Sequence, residues 1–288
     1  MLDTVFSDEM PGISPAVYGA ADFAAIARMV YAEAGIVLPE GKAMLVYSRI
    51  APLVRNSGCG TFAAYLERVE ADPAERMRTV AALTTNHTFF YREDHHFEHF
   101  AQTARPALVR RLDAGESVRM WSAGCSSGEE TWSLVLTLLG SEPLEGRRIA
   151  GKDVVVLGTD IAPHALAKAE AASYEAKDLA PVPEALVRNW VRTRGERAEI
   201  SPDAQRLVRF RSLNLQGEWP MRGLFDAIFC RNVMIYFDQP TKERLVERLA
   251  RQLAPGGYLY IGHSERATGP ATDLLDLAGS TIYRRRAA

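Results

Sequence analysis

The spacing of hydrophobic residues changes after the first third of the chain. In the first third the apolar residues recur at helical spacing, whereas further along short apolar runs alternate with helical segments. The first pattern is typical of an all-helical unit and the second of an open α/β sheet. We therefore predict an N-terminal helical domain at residues 21–84 and an α/β domain at residues 101–288, connected by residues 85–100. Residues 1–20 contain proline and glycine without a clear period and are predicted to form a loose leader.

Start and stop signals divide the helical domain into four helices. Asp22, Thr61 and Pro73 are residue types that often begin helices, and Gly35 is typical of a helix end. The predicted helices occupy residues 22–35, 42–55, 61–69 and 73–83.

Short apolar runs in the second domain predict strands. They lie at residues 118–121, 154–159, 225–230, 258–261 and 281–284. The first three have the near-continuous apolar character of buried parallel strands, and the last two are predicted to form an antiparallel pair at one sheet edge. Residues 181–212 have many charges and few apolar runs, so we predict a small β insertion there, with short strands at residues 199–200 and 207–211.

Polar residues follow the first two predicted strands. The first strand leads into a loop of small residues that contains Gly124 and Gly128, and the second ends in Asp160. Nucleotide-like ligands bind at the carboxyl ends of such strands, where a carboxylate can accept hydrogen bonds from ribose hydroxyls. The loop lacks the G-x-G-x-x-G pattern, and Glu129 with Glu130 would repel a pyrophosphate. A ligand with an adenosine end and a cationic centre fits better, and S-adenosylmethionine has both.

The composition of the chain mainly excludes classes of function and of site. The chain has 288 residues, of which 47% are hydrophobic, and a formal net charge of −2, so a core of ordinary size and no basic footprint for nucleic acid are expected. Three cysteines without a C-x-x-C pair indicate neither a disulfide framework nor a zinc site. Without a signal peptide pattern or an apolar run of bilayer length, we expect a cytoplasmic protein that is not inserted in a membrane and holds no metal.

Several stretches follow one another in an order that resembles one family. They read TTNHTFFYRE at residues 84–93, HHF at 95–97, WSAGCSSGEE at 121–130, GTDI at 158–161, LNL at 213–215, FDAIFCRNVMIYF at 225–237 and GHSE at 262–265. Together they resemble the CheR-type chemotaxis receptor methyltransferases and, with the pattern at residues 42–65, cover most of the chain. The resemblance implies a Rossmann-like S-adenosylmethionine-dependent methyltransferase sheet with an N-terminal all-helical domain and a small β insertion.

The resemblance also implies an activity and a binding site. The activity is that of a protein-glutamate O-methyltransferase, which forms glutamate methyl esters on the cytoplasmic helical domain of chemotaxis receptors and releases S-adenosyl-L-homocysteine. The implied cofactor-binding residues are Asn86, Thr88, Arg92, Glu129, Asp160, Asn214, Leu215, Arg231 and Asn232. In this assignment Asp160 holds the ribose hydroxyls, Glu129 attracts the positive charge and Arg92 binds the carboxylate of the cofactor. Asn214 and Leu215 hold the adenine.

Arg231 and Tyr236 are the candidate catalytic residues. The acceptor glutamate is already an anion at neutral pH and the sulfonium leaves as a neutral thioether, so no dedicated base is required. Positioning and desolvation should dominate the catalysis. Arg231 would orient the acceptor carboxylate.

A basic stretch in the helical domain is a candidate docking surface. Residues 41–66 contain Lys42, Arg49 and Arg55 and no acidic residue. One interpretation is a surface that docks the acidic helical domain of a receptor, and the alternative is an ordinary solvated helix face.

Three other functions compete with this interpretation. Residues 124–128 match G-x-S-x-G after a strand, which would make Ser126 the nucleophile of a serine hydrolase with His263 as base. Residues 95–99 match the H-x-x-E-H pattern of a zinc protease, although packed or solvated histidines explain the same residues. A non-catalytic module that only binds S-adenosylmethionine is the third alternative.

Overall fold

The structure is a computed structural model that describes residues 13, 14 and 16–287. The chain divides into two compact units, one formed by the residues up to Thr85 with Tyr236–Asp238, the other by Asn86–Ile235 and the chain from Gln239 onward. Of the predicted leader, residues 1–12 and 15 lie outside the described part. Among the described helices, none combines the length and the apolar character needed to cross a membrane.

The first unit is built from helices. They are α1 Ala20–Ala34, α2 Ala43–Ser57, α3 Phe62–Ala71 and α4 Pro73–Leu83, with a short 3-10 helix, Glu40–Lys42, before α2. The side chain of Thr61 accepts the N–H of Ala64 at 3.2 Å, and that of Asp72 accepts the N–H of Ala74 at 2.8 Å. These caps satisfy amides that a helix start leaves free, which explains where α3 and α4 begin.

Residues 236–238 belong to this first unit. The N–H of Val37 donates to the carbonyl oxygen of Tyr236 at 2.9 Å, and the Tyr31 hydroxyl donates to Asp238 at 2.6 Å. Tyr236, predicted to be catalytic, is therefore held among the N-terminal helices by the backbone, and its catalytic role stays a prediction.

Within its described residues, the second unit contains ten strands and eight α-helices. The strands are β1 Val118–Ala123, β2 Val154–Asp160, β3 Ser173–Glu175, β4 Val191–Arg194, β5 Arg197–Ile200, β6 Val208–Ser212, β7 Phe225–Cys230, β8 Leu253–Ile261, β9 Leu275–Gly279 and β10 Ile282–Arg285. The helices are α5 His95–His99, α6 Arg105–Asp113, α7 Glu129–Leu139, α8 Pro143–Ala150, α9 Pro163–Ala171, α10 Glu184–Trp190, α11 Pro202–Gln205 and α12 Gln239–Gln252. A π-helical turn, Phe100–Ala104, joins α5 to α6.

A seven-stranded sheet forms the centre of this unit. Its strand order is β6-β2-β1-β7-β8-β10-β9, with parallel pairing from β6 to β8 and with β10 antiparallel to both neighbours. Every residue of β7 is buried, as its nearly continuous apolar sequence predicts. The large sheet, the helical unit and a second small sheet confirm the predicted architecture.

The small sheet differs in extent from the predicted β insertion. It is antiparallel with the order β3-β5-β4, and residues 199–200 lie in β5 as predicted. The assignment of residues 207–211 to the insertion is wrong, because β6 pairs in parallel with β2 at the edge of the large sheet. Its alternating buried and exposed residues misled the sequence interpretation. The other edge strand, β9, was not predicted, and its Leu277 is 71% exposed.

The parallel strands end side by side. Ala123 at the end of β1 pairs with Thr159, and Asp160 at the end of β2 pairs with Ser212. The loops that follow β1, β2, β6 and β7 therefore meet at one edge of the sheet, which is where such folds place their ligands.

Candidate functional site

The loop after β1 folds back onto the end of β2. The N–H of Cys125 donates to the carbonyl oxygen of Thr159 at 2.8 Å, and the N–H of Ser126 donates to Asp160 Oδ2 at 2.8 Å. Asp160 Oδ1 accepts the N–H of Ala162 at 2.9 Å. Burial raises the pKa of Asp160, against the lowering effect of these amides. The amide of Ile161 also acts on this carboxylate, and three amides still leave it acceptor capacity for a ribose hydroxyl.

Gly128 lets the chain turn sharply into α7. Its φ is 95°, and a Cβ at this position would lie 2.7 Å from Ala169 Cβ and 2.9 Å from the Tyr174 hydroxyl. A residue with a side chain would therefore be strained by its backbone and would also clash. The turn brings Glu129 and Glu130 to the first positions of α7, next to the strand ends.

These two neighbouring carboxylates have different surroundings. Glu129 accepts the Ser127 hydroxyl at 2.8 Å, whereas Glu130 accepts the Ser122 hydroxyl at 2.7 Å. Glu130 Oε2 also lies 3.5 Å from Arg231 Nη1. Burial raises the pKa of both carboxyl groups, and the Arg231 charge opposes this for Glu130. Glu130 is thus the carboxylate of this pair that faces the end of β7.

Arg231, directly after β7, is enclosed by protein groups. Its side chain is 1% exposed, and its guanidinium lies 3.6 Å from Glu93 Oε2. Nη2 donates to the carbonyl oxygen of Arg92, and the guanidinium lies 5.3 Å from the centre of the Phe97 ring. This environment favours a positioning role for Arg231 over the predicted direct contact with an acceptor carboxylate.

Glu93 joins three segments of the second unit. Its Oε1 accepts Asn232 Nδ2 at 3.1 Å and lies 2.9 Å from His263 Nδ1. Burial alone would raise the pKa of Glu93, but the hydrogen bond with His263 and the Arg231 charge lower it to about 2. Glu93 is therefore ionised at neutral pH and ties the connecting segment to the loops after β7 and β8.

The connecting segment also contacts the loop after β1. The Ser126 hydroxyl donates to the carbonyl oxygen of Asn86 at 2.9 Å. Arg92 Nη1 donates to the carbonyl oxygen of His87 at 3.0 Å, and Thr88 is half-buried. Asn86, through its contact with Ser126, and Arg92, whose carbonyl oxygen accepts Arg231, therefore lie beside the strand ends.

Left-handed backbone is concentrated around these contacts. Tyr91, Glu93, Ser126 and Asn232 are not glycines, yet their φ values are 54°, 55°, 50° and 59°. Such conformations are costly and persist where the surrounding contacts enforce them, which often occurs at binding sites.

The loop after β6 completes the site. The N–H of Leu213 donates to the carbonyl oxygen of Asp160 at 3.0 Å, and Asn214 Oδ1 accepts the N–H of Gln216 at 2.9 Å. Leu215 is buried. Gln216 Nε2 is buried without a hydrogen-bond partner in the described protein, so it is a donor that a bound ligand could satisfy.

Two family profiles match successive parts of the chain. The profile described as "CheR methyltransferase, all-alpha domain" matches residues 21–84, and the one described as "CheR methyltransferase, SAM binding domain" matches residues 86–284. The chain belongs to the CheR methyltransferase family. The cofactor predicted from the sequence, S-adenosylmethionine, is confirmed by this match.

Curated relatives match this CheR family chain along most of their length. A probable chemotaxis protein methyltransferase of Rhizobium etli is 44% identical over 262 residues, which cover 89% of this chain and 96% of the relative. Chemotaxis protein methyltransferase 2 of Pseudomonas aeruginosa is 38% identical and covers 92% of this chain and 93% of its own. The chemotaxis protein methyltransferase of Escherichia coli is 37% identical, with 91% and 90% covered.

The residues at the strand ends fit S-adenosylmethionine in charge and in hydrogen bonding. Asp160 retains acceptor capacity, and Gln216 Nε2 is a spare donor beside the loop predicted to hold adenine. Glu93 Oε2 is likewise buried without a hydrogen-bond partner in the described protein. With Glu130 it gives an excess of buried negative charge, which a sulfonium or ammonium group would neutralise. The individual cofactor contacts stay predictions.

The serine hydrolase alternative gains no support from these contacts. The Ser126 hydroxyl donates to the carbonyl oxygen of Asn86, and His263 is engaged with Glu93. The nucleophile and its proposed base therefore have different partners, and the family match supports methyl transfer instead.

Two of the three histidines of α5 have hydrogen-bond partners of their own. His96 Nε2 lies 2.9 Å from Thr281 Oγ1, and His99 Nδ1 lies 3.0 Å from the Tyr260 hydroxyl, whereas Nε2 of His95 is buried without a hydrogen-bond partner in the described protein. In residues 13, 14 and 16–287, no group of three or more histidine, cysteine or acidic side chains is arranged to hold a metal ion. The contacts favour the interpretation of these histidines as packed residues of the core.

Sequence reasoning assigned no role in the cofactor site to several polar residues that the structure brings to it. These are Glu93, Glu130, His263 and Glu265. His263 was considered only as the base of the serine hydrolase alternative. All four lie within the stretches that resemble the family, which was the available signal, but the stretches could not show which partners these residues have.

Proposed function

We propose that this chain is a protein-glutamate O-methyltransferase that acts on the cytoplasmic helical domain of chemotaxis receptors. The observation that carries the proposal is the family match over both domains, at residues 21–84 and 86–284. It is supported by relatives named chemotaxis protein methyltransferases and by the carboxylate-rich site at the strand ends.

The residues of the site have separable tasks in this proposal. Asp160 binds the ribose, Arg92 binds the cofactor carboxylate, and the loop at Asn214 and Leu215 receives the adenine. S-adenosylmethionine supplies a methyl group on a positively charged sulfur, from which an oxygen of the glutamate carboxylate takes the methyl while the sulfur–carbon bond breaks and a neutral thioether remains. Glu93 and Glu130 favour the positive ligand electrostatically, and Arg231 keeps the connecting segment in place.

Methyl transfer to a receptor tests this function directly. Purified protein is incubated with receptor cytoplasmic fragments and S-adenosylmethionine labelled in the methyl group. We expect label in the receptor that mild alkali releases as methanol, because esters are hydrolysed under conditions that leave N-methyl groups intact. Omission of the receptor is the control.

Other outcomes of the same experiment decide between the alternatives. Cofactor binding in calorimetry without transfer to any receptor fragment would favour the non-catalytic binding module. Label that resists alkali would contradict a glutamate ester. Labelling of Ser126 by a fluorophosphonate probe would revive the hydrolase.

Docking of the receptor is a separate part of the proposal, and the geometry refines it. Arg49 Nη1 donates to the carbonyl oxygens of Leu83 and Thr84 at 2.8 and 2.7 Å, so this side chain caps the end of α4. Lys42 and Arg55 are exposed. At about 100° per helical residue, Arg49 and Arg55 lie about 120° apart around α2, so the basic residues do not form one stripe. We therefore propose Lys42 or Arg55, rather than Arg49, as the charge that meets the acidic receptor.

Charge reversal at these two positions tests the docking. We expect Lys42→Glu with Arg55→Glu to raise the KM for receptor about three- to tenfold at low salt, because exposed charges mainly steer association. The Kd for S-adenosylmethionine should not change. Single variants show which side of α2 meets the receptor, and Arg28→Glu on exposed α1 surface is the matched control. If the Kd for S-adenosylmethionine rose as much as the KM for receptor, a separate docking surface would be contradicted.

A further inference from the structure

We propose that Glu265 is a positioning residue. Its buried carboxylate fixes the turn after β7, and thereby the side chains that hold the connecting segment, residues 85–100, in place. The inference rests on the proposed methyltransferase function for its effect on activity. Its structural part, the clamp formed by Glu265, can be measured without any cofactor.

The Glu265 carboxylate accepts three backbone amides. Oε2 accepts the N–H of Gly262 at 2.6 Å and that of Asn232 at 3.2 Å, and Oε1 accepts the N–H of Met234 at 2.8 Å. Glu265 is 5% exposed, and its bonds to Gly262 and Met234 are buried, so bulk water cannot replace the carboxylate at these two amides. One side chain from the loop after β8 therefore satisfies the donors of the turn after β7.

The held turn has a conformation that needs support. Asn232 has a φ of 59°, in the left-handed region that is costly for residues with a side chain. The N–H bonds to Glu265 flank this residue, at Asn232 itself and at Met234. Without the carboxylate, the buried amide of Met234 and the part-buried amide of Asn232 would lose their acceptor, and the left-handed residue would be free to relax.

Gly262 packs the same turn from the other side. A Cβ at Gly262 would lie 2.6 Å from Asn232 Nδ2, 2.8 Å from Asn232 N and 2.9 Å from Glu265 Oε2. The Asn232 nitrogen is a backbone atom, so a methyl group at residue 262 would have to displace the turn. Glycine is required here for close approach, and the position offers a second, independent way to move Asn232.

The turn is linked to the connecting segment by two side chains. Asn232 Nδ2 donates to Glu93 Oε1 at 3.1 Å, and Arg231 donates to the carbonyl oxygen of Arg92. A shift of the turn would therefore move both supports of the Arg92–Glu93 backbone. Glu265 itself touches neither residue of that segment in these contacts, and so it acts through Arg231 and Asn232.

Three variants test the clamp. Glu265→Gln keeps the size of the side chain but replaces one acceptor oxygen by an NH2 group, which opposes an amide donor. Gly262→Ala keeps the carboxylate and displaces the turn by sterics. The control is Asp226→Asn at the opposite end of β7, where a carboxylate that is 8% exposed accepts the N–H of Arg119 at 2.8 Å.

Two measurements separate positioning from simple destabilisation. In hydrogen exchange, we expect faster exchange at residues 231–234 in both Glu265→Gln and Gly262→Ala, but not in Asp226→Asn. In calorimetry and steady-state kinetics, we expect both clamp variants to raise the Kd for S-adenosylmethionine about tenfold and to lower kcat/KM about 100-fold, since small misplacements of binding groups are costly. Asp226→Asn should melt at a lower temperature yet keep the wild-type Kd and kcat.

The outcomes that overturn the clamp are distinct from those that overturn the function. Wild-type exchange at residues 231–234 in Glu265→Gln, or wild-type Kd and kcat in both clamp variants, would refute it. Equal losses of affinity in Asp226→Asn would also refute it, because general destabilisation would then explain the effect. A wild-type protein that binds no S-adenosylmethionine would refute the proposed function, while the exchange result would still decide on the clamp.

Discussion

Strand β7 has an acidic residue near its amino end and a basic residue directly after its carboxyl end. The ion pairs of these two residues differ in their exposure to solvent. Asp226 pairs with Arg111, whose side chain is 40% exposed, so solvent shares the charge at the amino end. Arg231 pairs with Glu93 and Glu130, and these side chains are only 1%, 11% and 11% exposed. The carboxyl end thus keeps both signs of charge away from water.

The balance of charge also differs between the two ends. Three carboxylates, those of Glu93, Glu130 and Glu265, interact with the Arg231 charge in a buried region, where Arg92 contributes a second positive charge. Buried carboxylates in excess of their partners cost stability, whereas at the amino end the buried Asp226 is matched by Arg111 and by the N–H of Arg119. An arrangement that costs stability is expected where a ligand completes it, and a positively charged cofactor would do so here. The comparison favours the carboxyl end of the sheet as the functional end.

Replacing one carboxylate at the carboxyl end of the sheet and one at its amino end should produce the largest contrast in cofactor affinity. We expect Asp160→Asn to raise the Kd for S-adenosylmethionine about 100-fold, because two hydroxyl bonds to a carboxylate are each weakened when an amide replaces it. Isothermal titration calorimetry measures this directly. The substitution also weakens the amide bonds from Ser126 and Ala162, so the melting temperature should fall.

Asp226→Asn is the matched variant for that experiment. It removes a buried carboxylate that accepts a backbone amide of Arg119, as Asp160 accepts that of Ser126. We expect a similar fall in melting temperature without a change in cofactor affinity. If Asp160→Asn bound the cofactor with wild-type affinity, the assignment of the site to the carboxyl end would be wrong.

The part of the fold that sequence predicted is the part where burial dictates sequence. β7 was predicted with the bounds that the structure shows, because every residue of it is buried. The edge strands β6 and β9 were misassigned or missed, because one side of each is open to solvent and their sequences carry charges and a glycine. Whether an edge strand forms depends on the strand that pairs with it, and the local periodicity of the sequence does not show this pairing.

The candidate site shows the same division. Asp160 was placed at the carboxyl end of its strand because chain topology alone determines that position. The environment of Arg231 could not be predicted, because its partners Glu93 and Glu130 come from distant segments. Arg49 was interpreted as a docking charge because the sequence does not show its partner, the carbonyl oxygen of Leu83 at the end of a neighbouring helix.

A histidine at the carboxyl end offers a smaller test of the comparison. His96 faces Glu93, Arg231, His95 and the ring of Tyr260, and burial together with the Arg231 and His95 charges lowers its pKa to about 3. In the unfolded chain this histidine takes up a proton below its ordinary value of 6.5, whereas the folded protein does not until far lower pH, so stability falls as the pH drops through this window. At pH 5 the loss is about 2 kcal/mol, and the contribution of Glu93 is still largely intact there because pH 5 lies above the ordinary pKa of 4.5 at which the unfolded carboxyl takes up a proton. We expect His96→Gln to flatten the decline in the free energy of unfolding between pH 7.5 and pH 5, measured by urea titration. An unchanged slope in His96→Gln would mean that this end of the sheet admits a proton and water more freely than the buried contacts indicate.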